Sequence, residues 1–348
     1  MVQGMKRDKV LGICGVSKHQ FYYRPTGGKR GRKPSGKTLQ LIGNEHIERT
    51  NEDVINHMKQ VLKDPKIDYG YHRMTGELTL SGFYINPKKV YRLMKESRLL
   101  HPPAKRPSRQ YVQYRIICPQ GPLRVLEMDI KMVWIEGLRR YAFILTILDV
   151  FTRTALHWRA GFQMRQEHVQ DAWREVMEEQ LEPMEAYAWE MHIEIRSDNG
   201  PQFCAGNLRK FLADNFFVQT FTHPYTPQEN GHIESFHAIL SRALDGQYFG
   251  NEKELRSFLA DFYSFYNYRR IHGSIAKLPP MTFWNQWLLG NIDRKIVDEK
   301  RRRVRFSLKI PRQEVPLVQF SGNANLREVS RYNPVTDCTG QVNGAVSL

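Results

Sequence analysis

The feature that most restricts the fold is an alternating run at residues 125–133, Val-Leu-Glu-Met-Asp-Ile-Lys-Met-Val. Apolar side chains recur at every second position, and the polar ones between them, including Asp129, share the opposite face. A period of two predicts a β-strand with one buried face. We therefore expect Asp129 to project from the polar face of a strand.

Two further acids lie in contexts that place them at the ends of elements. Asp198 follows a strand-like run at residues 192–197 and precedes Asn-Gly, which predicts a turn that leaves the carboxylate at the strand's edge. Glu234 lies in residues 229–244, where apolar side chains recur at helical spacing, so it should leave a helix opposite the apolar stripe. The two are separated by 35 residues, but because acids fill 36 of 348 positions the contexts carry more weight than the spacing.

Three carboxylates that meet at one point repel each other, and a close like charge raises a carboxylate's pKa. Divalent metal ions remove that conflict. Two Mg²⁺ ions about 3.5–4 Å apart can activate an attacking oxygen, stabilise the leaving oxygen and hold a phosphate in line. Oxygen ligands favour Mg²⁺ or Mn²⁺ over zinc, so the three acids predict a site for phosphodiester chemistry.

Several motifs extend this pattern over most of the chain: residues 69–73 (Tyr-Gly-Tyr-His-Arg), 88–94 (Lys-Lys-Val-Tyr-Arg-Leu-Met), 197–203 (Ser-Asp-Asn-Gly-Pro-Gln-Phe), 266–272 (Tyr-Asn-Tyr-Arg-Arg-Ile-His) and 280–283 (Pro-Met-Thr-Phe). In these motifs the chain resembles transposases of the retroviral-integrase superfamily. That family carries a DD(35)E triad on an RNase H-like fold. The resemblance is to bacterial insertion-sequence transposases of the OrfB type, which are encoded by the second of two overlapping reading frames.

The resemblance implies an α/β core with a mixed five-stranded sheet and flanking helices, preceded by helix-turn-helix DNA-binding segments. It implies that Asp129, Asp198 and Glu234 are catalytic and hold two Mg²⁺ or Mn²⁺ ions, with Asp129 bridging both. The activity implied is metal-dependent cleavage and strand transfer at element ends. Its partners would be double-stranded DNA of the ends and the target, further copies of the chain, and a companion first-frame protein.

One position departs from the family pattern. The family usually has Lys or Arg seven residues after the catalytic Glu, where the side chain contacts DNA, and this chain has Ser241. Arg242 is the next residue, rotated by about 100° around the helix. We predict that Arg242 takes over the DNA contact.

Composition agrees with a nucleic-acid enzyme. The net charge of +16 favours association with a polyanion through phosphate neutralisation and counterion release. Residues 1–40 hold ten Lys and Arg against the single acid Asp8, whereas residues 167–194 are acidic and predict a solvated helix. The four cysteines are scattered, which indicates neither a zinc ribbon nor a disulfide framework. No apolar run is long enough to span a bilayer, so we expect a cytoplasmic, nucleoid-associated protein without membrane contact.

The chain divides into regions by composition and pattern. The predicted regions are a helical segment at 1–28, a basic linker at 29–49, a helix-turn-helix-like domain at 50–100, a connector at 101–119, the catalytic core at 120–290, and a basic arm or small β module at 291–348. The candidates for DNA contact are basic side chains in two places: the linker, and a predicted helix of the 50–100 domain that includes residues 88–95. They are Lys29, Arg30, Arg32, Lys33, Lys88, Lys89, Arg92 and Lys95, with Arg242 in the core.

Other titratable groups compete for roles at the site. Glu127 shares a face with Asp129 and is interpreted as lying behind the metal ligands, whereas Asp149 is better explained as a turn cap. His232 and His237 are interpreted as polar groups around an oxygen-rich site. Two alternatives to a transposase remain open: a transposase-derived DNA-binding regulator without activity, and a nuclease of the same fold that cuts without joining.

Overall fold

The computed structural model describes residues 7–24, 34–101, 117–184, 193–222, 230–298 and 303–318. The chain forms two compact units, residues 1–36 and 37–348. The first contains helices α1 (Arg7–Ile13) and α2 (Lys18–Tyr22). Ser17 caps α2: its hydroxyl accepts the Gln20 N–H, and the Gln20 side chain accepts the Ser17 N–H.

A β-hairpin precedes three helices in the helix-turn-helix-like region. Strands β1 (Lys37–Ile42) and β2 (Glu45–Thr50) pair antiparallel, and α3 (Asn51–Val61), α4 (Tyr71–Leu80) and α5 (Pro87–Glu96) follow. The helix starts match the sequence signals, because Thr50 and Asp53 form a capping box and Asn86 caps the N–H of Lys89 before Pro87. Apolar side chains of all three helices form one core.

The prediction of a linker at 29–49 is wrong for its second half, because residues 37–49 belong to this hairpin. The polar composition of this segment did not indicate a strand, because its buried polar groups form hydrogen bonds with residues that are distant in sequence. Gln40 donates to the Ser81 carbonyl and accepts from Arg49, and the Lys89 ammonium donates to the Lys37 carbonyl and to Thr38 Oγ1. The hairpin is thereby fixed to α4 and α5.

The larger part of the second unit is built on a five-stranded sheet. Its strands are β3 (Val125–Ile135), β4 (Arg140–Asp149), β5 (Ala155–Gly161), β6 (Ile193–Ser197) and β7 (Phe217–Phe221). The order is β5-β4-β3-β6-β7, with antiparallel pairing among the first three strands and parallel pairing from β3 to β6 and from β6 to β7. The mixed RNase H-like sheet expected from the sequence is confirmed.

Helices cover both faces of the sheet. They are α6 (Gln166–Val176), α7 (Pro201–Cys204), α8 (Gly206–Asp214), α9 (Gly231–Leu244), α10 (Glu252–Tyr268) and α11 (Pro280–Leu288). Met128 and its face of β3 pack with α6, α8 and α11 around Trp173, whereas α9 and α10 pack on the other face around Phe236 and Tyr263. Glu127 and Asp129 alternate with Met128 and therefore point to the α9 side.

The last described elements form an antiparallel hairpin of β8 (Ile292–Asp298) and β9 (Arg303–Leu308). It supplies the small β module of the sequence prediction. In the portions of the chain given above, every helix is too short or too polar to cross a bilayer.

The helix-turn-helix-like region and the sheet region are joined by four residues that we call the junction: Asp68, Tyr69, Arg270 and Ile271. The Tyr69 hydroxyl accepts the Ile271 N–H at 2.9 Å, and Ile271 packs into the core of the three helices. Asp68 Oδ1 accepts from Arg270 Nη2 at 3.1 Å, and Arg270 exposes only 2% of its side chain. The two regions are thus held by buried polar and apolar contacts together.

Candidate active site

Strand register places Asp129 and Asp198 side by side. In the parallel β3–β6 pair, Glu127 is opposite Arg196, so two residues further along Asp129 and Asp198 are at the same level. Asp198 directly follows the last residue of β6 and accepts the Gly200 N–H at 3.0 Å. A Cβ at Gly200 would lie 3.0 Å from Asp198 Oδ1 and closer still to the end of the Gln202 side chain, so a larger residue there would displace these side chains. The predicted position of Asp198 at the strand's edge is confirmed.

Helix α9 brings Glu234 to the same end of the sheet. Its apolar side chains Ile233, Phe236 and Leu240 are buried against the sheet, and Glu234 leaves the opposite side into solvent. His237 lies one turn after Glu234 and places Nδ1 3.2 Å from Asp129 Oδ2. The helix carrying the third acid therefore also contacts the first acid directly.

We call Asp129, Asp198 and Glu234 the carboxylate cluster, because their charges act on one another. Partial burial raises the pKa of Asp198, and repulsion from Asp129 raises it further. The pKa of Glu234 is raised by burial and by Asp129, while His237 opposes the shift. Asp129 thus acts on the charge of both other acids, Asp198 and Glu234, although these come from different elements.

The donor chemistry of the cluster fits a hard divalent cation. All three side chains offer carboxylate oxygens, the ligands that Mg²⁺ and Mn²⁺ prefer. Among the described residues, no three His, Cys, Asp or Glu side chains already form a coordination group. One oxygen of Asp129 faces His237 instead. The three side chains therefore offer suitable donor oxygens, of which Asp129 is held by the Ile130 N–H and Asp198 by the Gly200 N–H.

Two other acids on the sheet have separate roles. Asp149 is fully buried and accepts from the Leu123 N–H and from the N–H and hydroxyl of Thr152, so it caps a turn as predicted. Glu127 is also fully buried, and its Oε2 accepts the Ile233 N–H at 2.7 Å. Burial raises the pKa of Glu127 to about 7, against the opposing effect of that hydrogen bond. Only its position on the Asp129 face could have been read from sequence.

His232 and His237 fall on either side of Glu234 and differ in environment. Burial and the nearby Arg153 and Arg196 lower the pKa of His232 to about 2, so it is neutral and turned into the protein. His237 faces Asp129, as described above. Their interpretation as polar groups around the acids agrees with these positions.

The candidate DNA-contacting residues of α5 separate into two kinds. Lys88 and Lys95 are exposed, whereas Lys89 is occupied by its bonds to the β1–β2 hairpin and Arg92 is half-buried. Lys89 therefore holds the hairpin rather than presenting a free ammonium to a groove. The candidates in the basic linker, which are Lys29, Arg30, Arg32 and Lys33, lie outside the described residues.

Arg242 forms an ion pair with Asp68 of the junction, although 60% of its side chain is exposed. Ser241, at the family's basic position, donates its hydroxyl to the His237 carbonyl at 2.7 Å. The guanidinium predicted to contact DNA thus already has a carboxylate partner, and it would reach a phosphate only by leaving or sharing Asp68.

Comparisons with known proteins agree with this architecture. Residues 119–227 match one model described as an integrase core domain and residues 218–280 match a second, while residues 48–107 match an HTH-like domain. The chain therefore carries an integrase core domain over residues 119–280 and an HTH-like domain over residues 48–107. Its integrase core contains all three members of the carboxylate cluster, and its HTH-like domain contains α3 to α5.

Several curated proteins similar to this chain come from bacterial insertion sequences. A 39.2 kDa protein of insertion element IS476 from Xanthomonas euvesicatoria is 26% identical over 220 residues, which are 62% of this chain and 60% of that protein. The transposase for insertion sequence element IS904 from Lactococcus lactis is 23% identical over 65% of this chain and 91% of its own length. A chain of the simian T-cell lymphotropic virus intasome, solved in complex with PP2A regulatory subunit B56 gamma, has a TM-score of 0.41 and 13% identity over 66% of this chain and 74% of that one.

Proposed function

We propose that this protein is a DNA transposase that cleaves a strand at the ends of its own insertion sequence and joins the resulting end to target DNA. The observation that carries the proposal is the carboxylate cluster itself. Asp129, Asp198 and Glu234 come from three separate elements of an integrase core, and Asp129 acts on the charge of both other acids.

The reaction needs two steps at one site. In the first, water attacks a phosphodiester phosphorus, and the leaving oxygen departs as the 3′-hydroxyl of the element end. In the second, that hydroxyl attacks a target phosphodiester, so that one P–O bond forms as another breaks. Asp129, Asp198 and Glu234 would hold two Mg²⁺ or Mn²⁺ ions, which supply electrophilic stabilisation of the phosphate and of both oxygens in line.

The chain's own residues then have distinct roles. Asp129 and Asp198 are fixed by strand register and orient the site from the sheet, whereas Glu234 completes it from α9. Lys88 and Lys95 on α5 are placed to bind DNA phosphates, with a net charge of +16 to favour the complex. Because two ends must be brought together, the active form is an oligomer, and a companion first-frame protein would add recognition of the ends.

The test replaces Asp198 with Asn and measures nicking and joining of labelled end DNA with Mg²⁺ or Mn²⁺. We expect both activities to fall by about 10³-fold or more, because the uncharged amide is a poor ligand for a divalent cation. Asp214→Asn, an exposed acid at the end of α8, is the matched control and should keep full activity.

Gel-shift binding separates catalysis from DNA affinity. D198N should bind end DNA as well as the unmodified chain does. Undiminished joining by D198N would reject the assignment of the site. Binding without nicking under any divalent ion, in the unmodified chain, would contradict the transposase and favour the regulator. Nicking without joining would favour the nuclease.

A further inference from the structure

Glu127 connects the strand that carries Asp129 to the helix that carries Glu234. It lies two residues before Asp129 on the same face of β3, is fully buried, and accepts the Ile233 N–H at 2.7 Å. Ile233 is the residue directly before Glu234. One carboxylate therefore spans from the first acid's strand to the backbone of the third acid's helix.

Among the described residues, the start of α9 has no local side-chain cap, so the contact with Glu127 takes that role. The first N–H groups of a helix have no acceptor within the helix, and a side chain at the N-cap usually supplies one. Asn230 at the N-cap of α9 makes no such bond. Glu127, 106 residues away along the chain, supplies the acceptor instead, and its negative charge is favoured at the positive end of the helix.

The surroundings of Glu127 keep its carboxylate at this place. Arg153 and Arg196 are the cations that act on it. Arg153 has a left-handed backbone conformation with φ of 67°, which is uncommon for a residue with a side chain. Glu127 in turn acts on the charge of Arg153. The acid is thus compensated by fixed groups inside the protein and is turned away from solvent.

We propose that Glu127 is a positioning residue, which fixes the first turn of α9 on the sheet and so holds Glu234 beside Asp129. The proposal rests on the proposed function, because the position of Glu234 matters for chemistry only if the carboxylate cluster is catalytic. Groups that orient metal ligands typically change metal affinity or activity by about 10–100-fold when they are removed.

Asp149 is the matched comparison for a buried acid without this role. Like Glu127, Asp149 is fully buried, accepts hydrogen bonds from backbone N–H groups, and lies on the same sheet. Its partners are Leu123 and Thr152, neither of which is on α9. A substitution there should lower stability without displacing Glu234.

The experiment compares E127A, E127Q and D149N in the full chain by three measurements. They are Mn²⁺ affinity by electron paramagnetic resonance, the nicking rate as a function of Mn²⁺ concentration, and hydrogen exchange of the peptide that contains residues 231–236. For E127A we expect Mn²⁺ affinity and nicking each to fall about tenfold or more, with faster exchange at the start of α9.

The other two variants sharpen the result. E127Q keeps a side-chain oxygen that can accept the Ile233 N–H, so it should lose less than E127A, and it replaces E127A if that variant does not fold. D149N should lower the melting temperature while Mn²⁺ affinity stays within about twofold of the unmodified chain.

Two outcomes distinguish the proposals. Glu127 variants that lower only the melting temperature, with unchanged Mn²⁺ affinity and saturated rate, would overturn the positioning role. An unmodified chain that neither binds Mn²⁺ nor nicks DNA contradicts the proposed function itself. Hydrogen exchange in E127A then still decides whether Glu127 holds the start of α9.

Discussion

The carboxylate cluster and the junction both contain aspartates, but the aspartates of the cluster have few side-chain partners whereas the aspartate of the junction has several. Among the described residues, Asp129 has one side-chain partner, His237, at 3.2 Å, and Asp198 accepts only a local N–H. Asp68 accepts from Arg73, Arg242 and Arg270. Asp68 already contacts three guanidinium groups, whereas neither aspartate of the cluster contacts a Lys or Arg among the described residues. Under the proposed function, the acids with fewer partners are the ones that bind metal.

The largest effect on stability is expected from Asp68→Ala. Arg270 would stay almost completely buried without its carboxylate, and we expect the free energy of unfolding to fall by about 2 kcal/mol, less than for a fully buried pair because Asp68 is 34% exposed. Urea unfolding measures the change. Glu48→Ala is the control, because its pair with Lys37 is exposed and screened by solvent and should contribute little. Equal losses in the free energy of unfolding for the two variants would show that Asp68 stabilises the fold no more than an exposed ion pair does.

Tyr69→Phe tests the second polar contact of the junction. The Ile271 N–H would lose its acceptor in a buried place, and we expect a loss of about 1–2 kcal/mol in the free energy of unfolding. Tyr84→Phe serves as the control, since Tyr84 is 46% exposed and should change stability by less than about 0.5 kcal/mol. A neutral Y69F would show that the hydrogen bond between Tyr69 and Ile271 does not help to hold the two regions together.

The junction should weaken in acid through His272, which follows Ile271. Burial, with Arg270, Arg73 and Arg153 nearby, holds the pKa of His272 well below its ordinary value. The unfolded chain therefore binds a proton that the folded chain does not, so stability is full above pH 6.5 and falls as the pH drops below it.

His272→Phe removes this titration and keeps a ring next to Tyr266. Between pH 7.5 and 5.5 the unmodified chain should lose about 1 kcal/mol more than H272F does. Unfolding at the two pH values measures the difference. Parallel losses in both chains would assign the acid sensitivity to other groups.

The smallest expected effect on stability is that of replacing Asp198 in the carboxylate cluster. Because the pKa of Asp198 is raised in the folded chain, its charge is disfavoured there, and its contribution improves as the pH falls through that raised pKa. D198N should therefore unfold at pH 7 with stability equal to the unmodified chain or a few tenths of a kcal/mol higher, although its activity is lost. A clear loss of stability would place Asp198 with Asp68 as a structural acid.

Sequence patterns predicted the sheet because its elements are local and periodic. The strand predicted from the alternation around Asp129 and the helix predicted from the spacing around Glu234 both appear, within a few residues of the predicted bounds. The hairpin at residues 37–50 did not follow from sequence, since Gln40 is satisfied by Ser81 and Arg49 rather than by neighbours in the pattern.

The acids of the candidate site could be proposed from the sequence, but the hydrogen bonds that hold the surrounding elements could not. Asp198 and Glu234 lie in recognisable local contexts, whereas the bonds from Glu127 to Ile233 and from Tyr69 to Ile271 join residues 106 and 202 positions apart. No periodic signal encodes such pairs, because they form only when distant elements pack. The same reason explains why Lys89 was grouped with exposed bases although it holds the hairpin.

The junction also has a geometric consequence. Buried contacts join the HTH-like domain to the integrase core, so a base sequence recognised by α5 and a phosphate bound at the acids would be separated by a length that the polypeptide itself fixes. Under the proposed function, this fixed separation would place the cut at a constant number of base pairs from the recognised sequence.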